Sequence, residues 1–308
     1  MKIAVESTVK FRKHHLDRLG KIGNVEVYEF SCKKEKFFEI VKDAEVIIGN
    51  KWFFNELLPK LKVKLIALCS TGCDLVDLDK CKMLGIAVTN VPAYSTNSVA
   101  EATIALLLEL TKRMKYQRES YDKGKWAYDL DPFTELADKT FGIIGFGNIG
   151  KKVAQIASAM DMKILVHTRT SKKEEFPDYK FVSKEELLRN SDFVSIHIPL
   201  DESTKHFIGK KEFDMMKSSA CIINAARGAI IDEDAMADAL KNGKIAGAGL
   251  DVFSKEPLPL DSDLAKLKNV VITPHTAFYT AEALERLYSR CIGNVEDFLS
   301  GKKSNVVN

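Results

Sequence analysis

Three ionisable residues in the second half of this 308-residue chain stand just beyond short apolar runs. Arg227 follows Cys221-Ile222-Ile223-Asn224, Glu256 closes Asp251-Val252-Phe253-Ser254-Lys255-Glu256, and His275 follows Val271-Ile272-Thr273-Pro274. Such runs read as buried parallel strands, and open α/β sheets bind ligands beyond the carboxyl ends of their strands. Together the three groups could move a hydride to or from a carbonyl that sits beside a carboxylate. A guanidinium fork grips the carboxylate and polarises the carbonyl. An imidazolium hydrogen-bonds to the carbonyl oxygen as it gains negative charge and delivers a proton to it. A glutamate on the other ring nitrogen favours the protonated ring and holds its orientation. The opposing reading is a core histidine, a surface glutamate and a structural arginine, because spacing alone does not bring the three within reach of one another.

Hydride chemistry needs a carrier, and residues 140–170 offer a place for one. Thr140 to Ile144 is an apolar run of strand length. It leads directly into Gly145-Phe146-Gly147-Asn148-Ile149-Gly150, then a helical pattern (Val153, Ile156, Ala157, Met160), then a second apolar strand, Ile164 to Val166. A G-x-G-x-x-G by itself says little, but one set between strand and helix, with a second strand following, reads as a dinucleotide-binding turn. Gly145 makes the tight turn, Gly147 lets backbone approach a pyrophosphate, and Gly150 lets the helix pack closely on the sheet. The free N–H groups where the helix starts, at Asn148 and Ile149, would hold the phosphates. The competing reading is a glycine-rich turn in an α/β protein that binds no nucleotide.

The elements that must position these groups form βαβ units. In residues 1–92, short apolar runs at Lys2 to Glu6, Val25 to Phe30, Ala44 to Ile48, Leu65 to Cys69 and Ile86 to Thr89 alternate with helical spacing, as at Leu75, Leu78 and Cys81. That rhythm implies a small parallel sheet without a glycine fingerprint. Pro92 breaks it, and one long helix is expected from about Asn97 to Arg118, apolar over much of its circumference and so buried at a domain or subunit contact. A polar, aromatic segment (Tyr121, Trp126, Tyr128, Phe133) reads as a surface connection that wraps another subunit. From Thr140 the rhythm resumes, with strands at Phe193 to Ile198, Ala220 to Asn224, Ala246 to Val252 and Val270 to Thr273, and helices over 204–216 and 232–241. A last helix, about 280–300, crosses back to the first domain. The expected fold is therefore α/β: a doubly wound parallel (Rossmann) sheet over 95–277, and a smaller, discontinuous flavodoxin-like α/β domain from 1–94 and 278–308 that binds substrate. Two crossings imply a cleft with hinges near 92–98 and 274–282.

Composition narrows the function classes. Lys and Arg number 46 against 43 Asp and Glu, a formal charge of +3, too small to argue for nucleic acid or an anionic membrane. No apolar run is long enough to span a bilayer, and the start MKIAVEST reads as a strand and not a signal peptide. The six cysteines (Cys32, Cys69, Cys73, Cys81, Cys221, Cys291) show neither C-x-x-C nor a zinc spacing and are expected as reduced thiols in a cytoplasmic protein. No metal is expected, since there is neither H-E-x-x-H nor a compact carboxylate set. Among the other histidines, His14 and His15 are expected to face solvent. His167 lies near the adenosine end, His206 is read as packing or local hydrogen bonding, and His197 either shapes a nicotinamide-side pocket or is structural.

The pieces GIIGFGNIG, SIHIPLDESTKHFIG, INAARGAIIDEDAMADAL, AGAGLDVFSKEP and VITPHTAFYT, in this order and spacing, closely resemble the D-isomer-specific 2-hydroxyacid dehydrogenases over essentially the whole chain. The resemblance implies a catalytic arginine at Arg227, a supporting glutamate at Glu256 and an acid/base histidine at His275. It puts a carboxamide-binding aspartate at Asp251 and further cofactor contacts at Pro199, Thr204 and Ala225. The loop whose backbone N–H groups take the substrate carboxylate corresponds to Ser70-Thr71-Gly72. NVPAYSTNSVAE (90–101) is similar to the D-lactate dehydrogenase branch, which places Tyr94 in the substrate pocket. Lys51 and Trp52, after the third strand, stand where family members carry a substrate-side loop. A homodimer is the usual assembly.

The cofactor's phosphate state can be read from the end of the second strand. Enzymes that take NAD usually have an acidic residue there, on the ribose hydroxyls. Here the position falls on Thr168, followed by Arg169, Thr170, Ser171, Lys172 and Lys173. That array suits a 2′-phosphate, so NADP(H) is expected over NAD(H), which stays possible. The expected activity is reduction of a small 2-keto acid such as glyoxylate, hydroxypyruvate or pyruvate, or oxidation of the D-2-hydroxy acid. An NAD-dependent D-lactate dehydrogenase and a non-catalytic nucleotide-sensing corepressor are the alternatives.

Overall fold

The computed structural model describes residues 1–29, 33–50, 55–170 and 174–308, and the chain divides into two compact units. The first comprises Met1–Ser95 and Thr280–Asn308, the second Thr96–Tyr279.

In the first unit, β1 (Lys2–Glu6), α1 (Lys13–Gly20), β2 (Asn24–Tyr28), α2 (Lys34–Val41), β3 (Val46–Gly49), β4 (Leu65–Leu68), α3 (Leu78–Met83) and β5 (Ala87–Thr89) follow in order. The strands form a parallel sheet in the order β2-β1-β3-β4-β5, the flavodoxin-like winding. β3 and β4 carry only apolar residues and glycine because helices cover both faces, and every one of their residues is buried.

The second unit opens with α4 (Thr96–Lys112) and α5 (Met114–Tyr121). The single helix expected over 97–118 is therefore broken at Arg113, which adopts a left-handed φ of 51° with its guanidinium 4.1 Å above the Tyr116 ring. α4 buries its apolar face within its own unit. Leu106 and Leu110 lie where side chains on Gly247 and Gly249 would otherwise stand, so those glycines set the helix close to the sheet.

Then come β6 (Thr140–Ile144), α6 (Asn148–Ser158), β7 (Lys163–His167), β8 (Lys180–Phe181), α7 (Lys184–Asn190), β9 (Phe193–Ile196), α8 (Lys210–Met215), β10 (Cys221–Asn224), α9 (Glu233–Lys241), β11 (Gly247–Leu250), α10 (Asp263–Lys266) and β12 (Val270–Ile272). The parallel sheet runs β12-β11-β10-β9-β6-β7-β8. Winding departs in both directions from β6, so the topological switch lies between β6 and β9, where dinucleotides bind in doubly wound folds.

The helix expected over 204–216 is confined to 210–215. Residues 201–208 are drawn into a turn instead. Asp201 Oδ1 accepts the N–H groups of Ser203 and Thr204, and Ile208 bridges to Ile231, which costs that stretch its helical hydrogen bonds. Asp232 caps α9 by accepting the Ala235 N–H at 3.1 Å. α11 (Ala281–Leu299) completes the first unit, its N-terminus capped by Thr280, and buries Leu287, Cys291, Ile292 and Val295.

Candidate active site

In the second unit the glycine turn stands at the switch point. Gly145 has φ 96°, and a Cβ there would come within 2.5 Å of the His197 carbonyl oxygen, so only glycine fits. A Cβ on Gly150 would lie 2.1 Å from the Gly145 carbonyl oxygen, which fixes how close α6 approaches the turn. At Gly147, by contrast, nothing stands within 4 Å of an added Cβ. That open face at the N-terminus of an 11-residue helix, where the Asn148 and Ile149 N–H groups donate to nothing among the described residues, fits the pyrophosphate of a dinucleotide. The Gly145 N–H donates to the His167 carbonyl at 2.8 Å, drawing the end of β7 against the turn. Thr168, Arg169 and Thr170 leave from that point, with Arg169 and Thr170 exposed. Lys172 lies outside the described residues.

Arg227 and Glu256 share one braced corner. At the buried end of β10, Asn224 donates from Nδ2 to the Arg227 carbonyl at 2.9 Å and accepts the Ala226 N–H at 3.0 Å, which shapes the turn through Ala225. Arg227 Nη1 donates to the Ala226 carbonyl at 2.8 Å, leaving the half-buried guanidinium beyond the strand end. Next to it, Gly228 has no room for a Cβ because the backbone of Phe253 and Ser254 lies against it. The 253–256 turn is closed by the Phe253 N–H on Glu256 Oε1 at 3.0 Å and anchored to α9 by the Ser254 N–H on Glu233 Oε1 at 2.6 Å.

The other carboxylate oxygen, Glu256 Oε2, accepts from His275 Nδ1 at 2.7 Å. The His275 side chain is 40% exposed, and its Nε2 makes no hydrogen bond among the described residues. Its backbone has φ 54°, a strained left-handed conformation for a residue with a Cβ. Asp251, buried at the end of β11, enforces that conformation. Its carbonyl accepts the His275 N–H at 2.8 Å, and its carboxylate accepts the Thr276 N–H at 2.8 Å, the Ala277 N–H at 2.9 Å and the Thr273 hydroxyl at 2.5 Å. Whatever else Asp251 binds, it clamps the loop that carries His275.

Pro199 and Thr204, two further expected cofactor contacts, share one turn. Pro199 follows β9, and the Thr204 hydroxyl is committed to the Pro199 carbonyl at 2.7 Å, so it braces the turn. His197 follows β9, with Nε2 2.8 Å from the buried Ser195 hydroxyl. Part of its surface stays accessible, yet desolvation of the ring lowers its pKa to about 3, so it is a neutral, structural neighbour of Gly145.

In the first unit, the Thr71 hydroxyl donates to the Val91 carbonyl at 2.8 Å, and Asn90 Nδ2 donates to the Thr71 carbonyl at 2.7 Å. The Thr71 and Gly72 N–H groups donate to nothing among the described residues, as a carboxylate-receiving loop requires. Tyr94 is buried, and its carbonyl accepts from Arg286 Nε at 2.8 Å. Lys51 and Trp52 lie outside the described residues. The buried Glu6, at the end of β1, accepts the Asn50 N–H at 2.9 Å.

The expectation that His14 and His15 both face solvent fails for His15, which is buried to 1% exposure. Its Nδ1 accepts the Arg12 N–H, which ties the ring to the start of α1. With His14 and Glu285 it makes a group of three potential metal ligands. However, a neutral ring whose Nδ1 accepts a hydrogen bond carries its proton on Nε2, which leaves no lone pair for a metal. The arrangement is an ion-pair cluster: Glu285 also faces Arg12, and the His14 hydrogen bond leads the lowering of its carboxyl pKa.

Asn224, Gly228, Glu233 and Glu6 are the structural supports that sequence reasoning passed over. The signal for Asn224 and Glu6 was a polar residue closing a buried strand, the same signal that marked Arg227.

The chain is similar to known proteins. The profile described as D-isomer specific 2-hydroxyacid dehydrogenase, NAD binding domain, matches residues 104–277. A hydroxypyruvate reductase from Blautia hydrogenotrophica is 35% identical over the full length of both chains. Among solved structures, an acyclic imino acid reductase in complex with NADPH and D-Arg superposes with a TM-score of 0.92 at 31% identity, covering 100% of each chain. A D-lactate dehydrogenase from Aquifex aeolicus, complexed with NAD and lactic acid, gives 0.88 at 33% identity, over 99% of this chain and 98% of that one.

Proposed function

Because the chain belongs to the family of D-isomer-specific 2-hydroxyacid dehydrogenases, we propose that Arg227, Glu256 and His275 are its catalytic set, acting on a small 2-keto acid. The protein is an oxidoreductase that transfers a hydride between a nicotinamide cofactor and small 2-keto or 2-hydroxy acids. The observation that carries the assignment of roles is the 2.7 Å bond between His275 Nδ1 and Glu256 Oε2, with Nε2 left open.

When bound, the nicotinamide supplies the hydride for reduction or accepts it for oxidation. Gly145, Gly147, Asn148, Ile149 and Gly150 are the residues that would hold its pyrophosphate, with Pro199, Thr204 and Ala225 along the nicotinamide side. Arg227 binds the substrate carboxylate with its planar fork and draws electron density from the neighbouring carbonyl. The Thr71 and Gly72 N–H groups serve as carboxylate donors, Tyr94 lines the substrate pocket, and Lys51 and Trp52 belong to the substrate-side loop. As the carbonyl carbon gains hydride, its oxygen gains negative charge, and protonated His275 passes the Nε2 proton to it to give the hydroxy acid. Glu256 stabilises the imidazolium before transfer and keeps the ring aimed. In oxidation the same ring takes the hydroxyl proton.

Thr168, Arg169, Thr170 and Lys172 make NADP(H) the preferred cofactor. Thr168 leaves the ribose end of β7 without a carboxylate that would repel a 2′-phosphate, and the exposed Arg169 supplies a cation there. Hydroxypyruvate and glyoxylate are the preferred substrates, with the protein acting as a cytoplasmic homodimer. No helix among the described residues is long and apolar enough to cross a membrane.

The experiment is a steady-state panel of glyoxylate, hydroxypyruvate, pyruvate and phenylpyruvate, each with NADPH and with NADH, followed by nicotinamide absorbance. Highest kcat/KM with NADPH and one of the two small acids is expected. Cofactor binding without turnover on any 2-keto acid would overturn the catalytic reading.

A further inference from the structure

The first unit carries a groove whose arginines the proposed chemistry does not use. It encloses about 490 Å³ and is lined by Arg18 of α1, by Arg286 and Arg290 of α11, and by the apolar wall of Val91, Pro92 and Tyr94. Among the described residues no carboxylate lines it. The charge of Arg18 is balanced by Glu296, which accepts from Nε at 2.7 Å and from Nη2. The other two arginines have no such partner. The Arg286 side chain donates only from Nε, to the Tyr94 carbonyl, and the Arg290 side chain makes no hydrogen bond or ion pair among the described residues.

Arg286 and Arg290 are four residues apart on one helix, so their side chains are neighbours, and like charges at that spacing repel. Ser289 and Gly293 complete the same stripe, and Gly293 keeps the floor between the guanidiniums low. Two planar forks without a carboxylate partner line one groove, and their N–H donors match phosphate oxygens better than water does. The space exceeds what orthophosphate alone would fill, and the apolar wall gives a short carbon skeleton a surface to rest on. We propose that this groove binds the phosphate group of a small phosphomonoester, with Arg290 and Arg286 as the ligands and the organic portion against Val91, Pro92 and Tyr94.

The test uses the full chain saturated with NADPH, so that the cofactor's own phosphate positions are filled. The probe is glycerol 3-phosphate, which has no carboxylate or keto group for the substrate site. Calorimetric titration is expected to show saturable binding of one molecule per chain, with inorganic phosphate competing more weakly and glycerol not binding. Arg290→Glu is expected to weaken binding about tenfold or more, and Arg290→Lys, which keeps the charge and loses the fork, by an intermediate factor. Arg290 is exposed, so both variants should keep the wild-type circular dichroism and melting temperature. Lack of saturation below about 10 mM probe, or an unchanged affinity in Arg290→Glu, would overturn the proposal. Equal affinity for inorganic phosphate and the monoester would overturn the role given to the apolar wall.

Discussion

Gly228 and Phe253 occupy space that only one of them can have: a Cβ at position 228 would lie 1.9 Å from the Phe253 carbonyl carbon and 2.2 Å from the Ser254 nitrogen. The glycine follows Arg227 directly, and the backbone it touches leads to Glu256. The guanidinium and the carboxylate are thus located by one steric contact between two loops.

Gly228→Ala must push these loops apart. Overpacking of this kind costs about 1–3 kcal/mol in stability. A larger relative effect is expected on kcat, because Glu256 shifts relative to His275 while the glycine turn at 145–150 is untouched. Chemical denaturation, cofactor titration and steady-state kinetics separate the three readouts. A variant with wild-type kcat would show that the contact does not position Glu256.

Asp251→Asn replaces one of the two oxygens that accept backbone N–H groups with an amide nitrogen, which cannot accept. Losing one charge-assisted hydrogen bond of this kind is worth about 2 kcal/mol, or roughly 30-fold in kcat/KM if the cost falls on the His275 loop. The loss should be seen with every 2-keto acid, because the loop and not the substrate tail is affected. A loss confined to one substrate would move Asp251 out of the clamping role.

His197 gives a prediction in pH. Its folded pKa of about 3 lies below the ordinary 6.5, so the unfolded chain takes up a proton that the folded chain refuses. The contribution of this group is fully present above pH about 6.5 and is lost progressively as pH falls toward about 3, with a slope of up to about 1.4 kcal/mol per unit. Its ring resonances should show no titration between pH about 8 and 5, and His197→Asn should flatten the acid side of the stability curve. A midpoint near that of a solvent-exposed histidine would contradict the burial argument.

Arg169→Ala addresses the 2′-phosphate. Loss of a charge-assisted contact should weaken NADPH binding about tenfold or more while NADH binding changes little. Equal changes for both cofactors would remove Arg169 from the phosphate.

Much of the fold was legible because periodicity and punctuation are local. The runs that became β10 and β11 are short, and each closes on a polar residue, Asn224 and Asp251. Arg227, Glu256 and His275 were picked out as polar residues that follow such runs, and the family resemblance supplied their roles. What escaped depends on contacts distant in sequence or on backbone conformation without a residue-type signature. The break at Arg113 needs φ 51° in a residue that is ordinarily a good helix former. The turn that shortened the 204–216 helix comes from a bridge between Ile208 and Ile231. The burial of His15 depends on packing that includes the edge of Tyr288, 273 positions further along, with ring centroids 5.5 Å apart. Glu233 illustrates the same limit at the site. It reads as an ordinary first-turn acid of α9, and only the folded chain shows it holding the Ser254 N–H.

The central claim is that His275 exchanges the proton while Glu256 holds its ring. It is tested most directly by single-turnover reduction of hydroxypyruvate, with NADPH oxidation followed by stopped flow in wild-type protein and in His275→Ala. The expected result is unchanged NADPH affinity with a hydride-transfer rate slowed about 100-fold or more. A rate within about twofold of wild type would contradict the claim, since the open imidazole nitrogen would then have no part in the reaction.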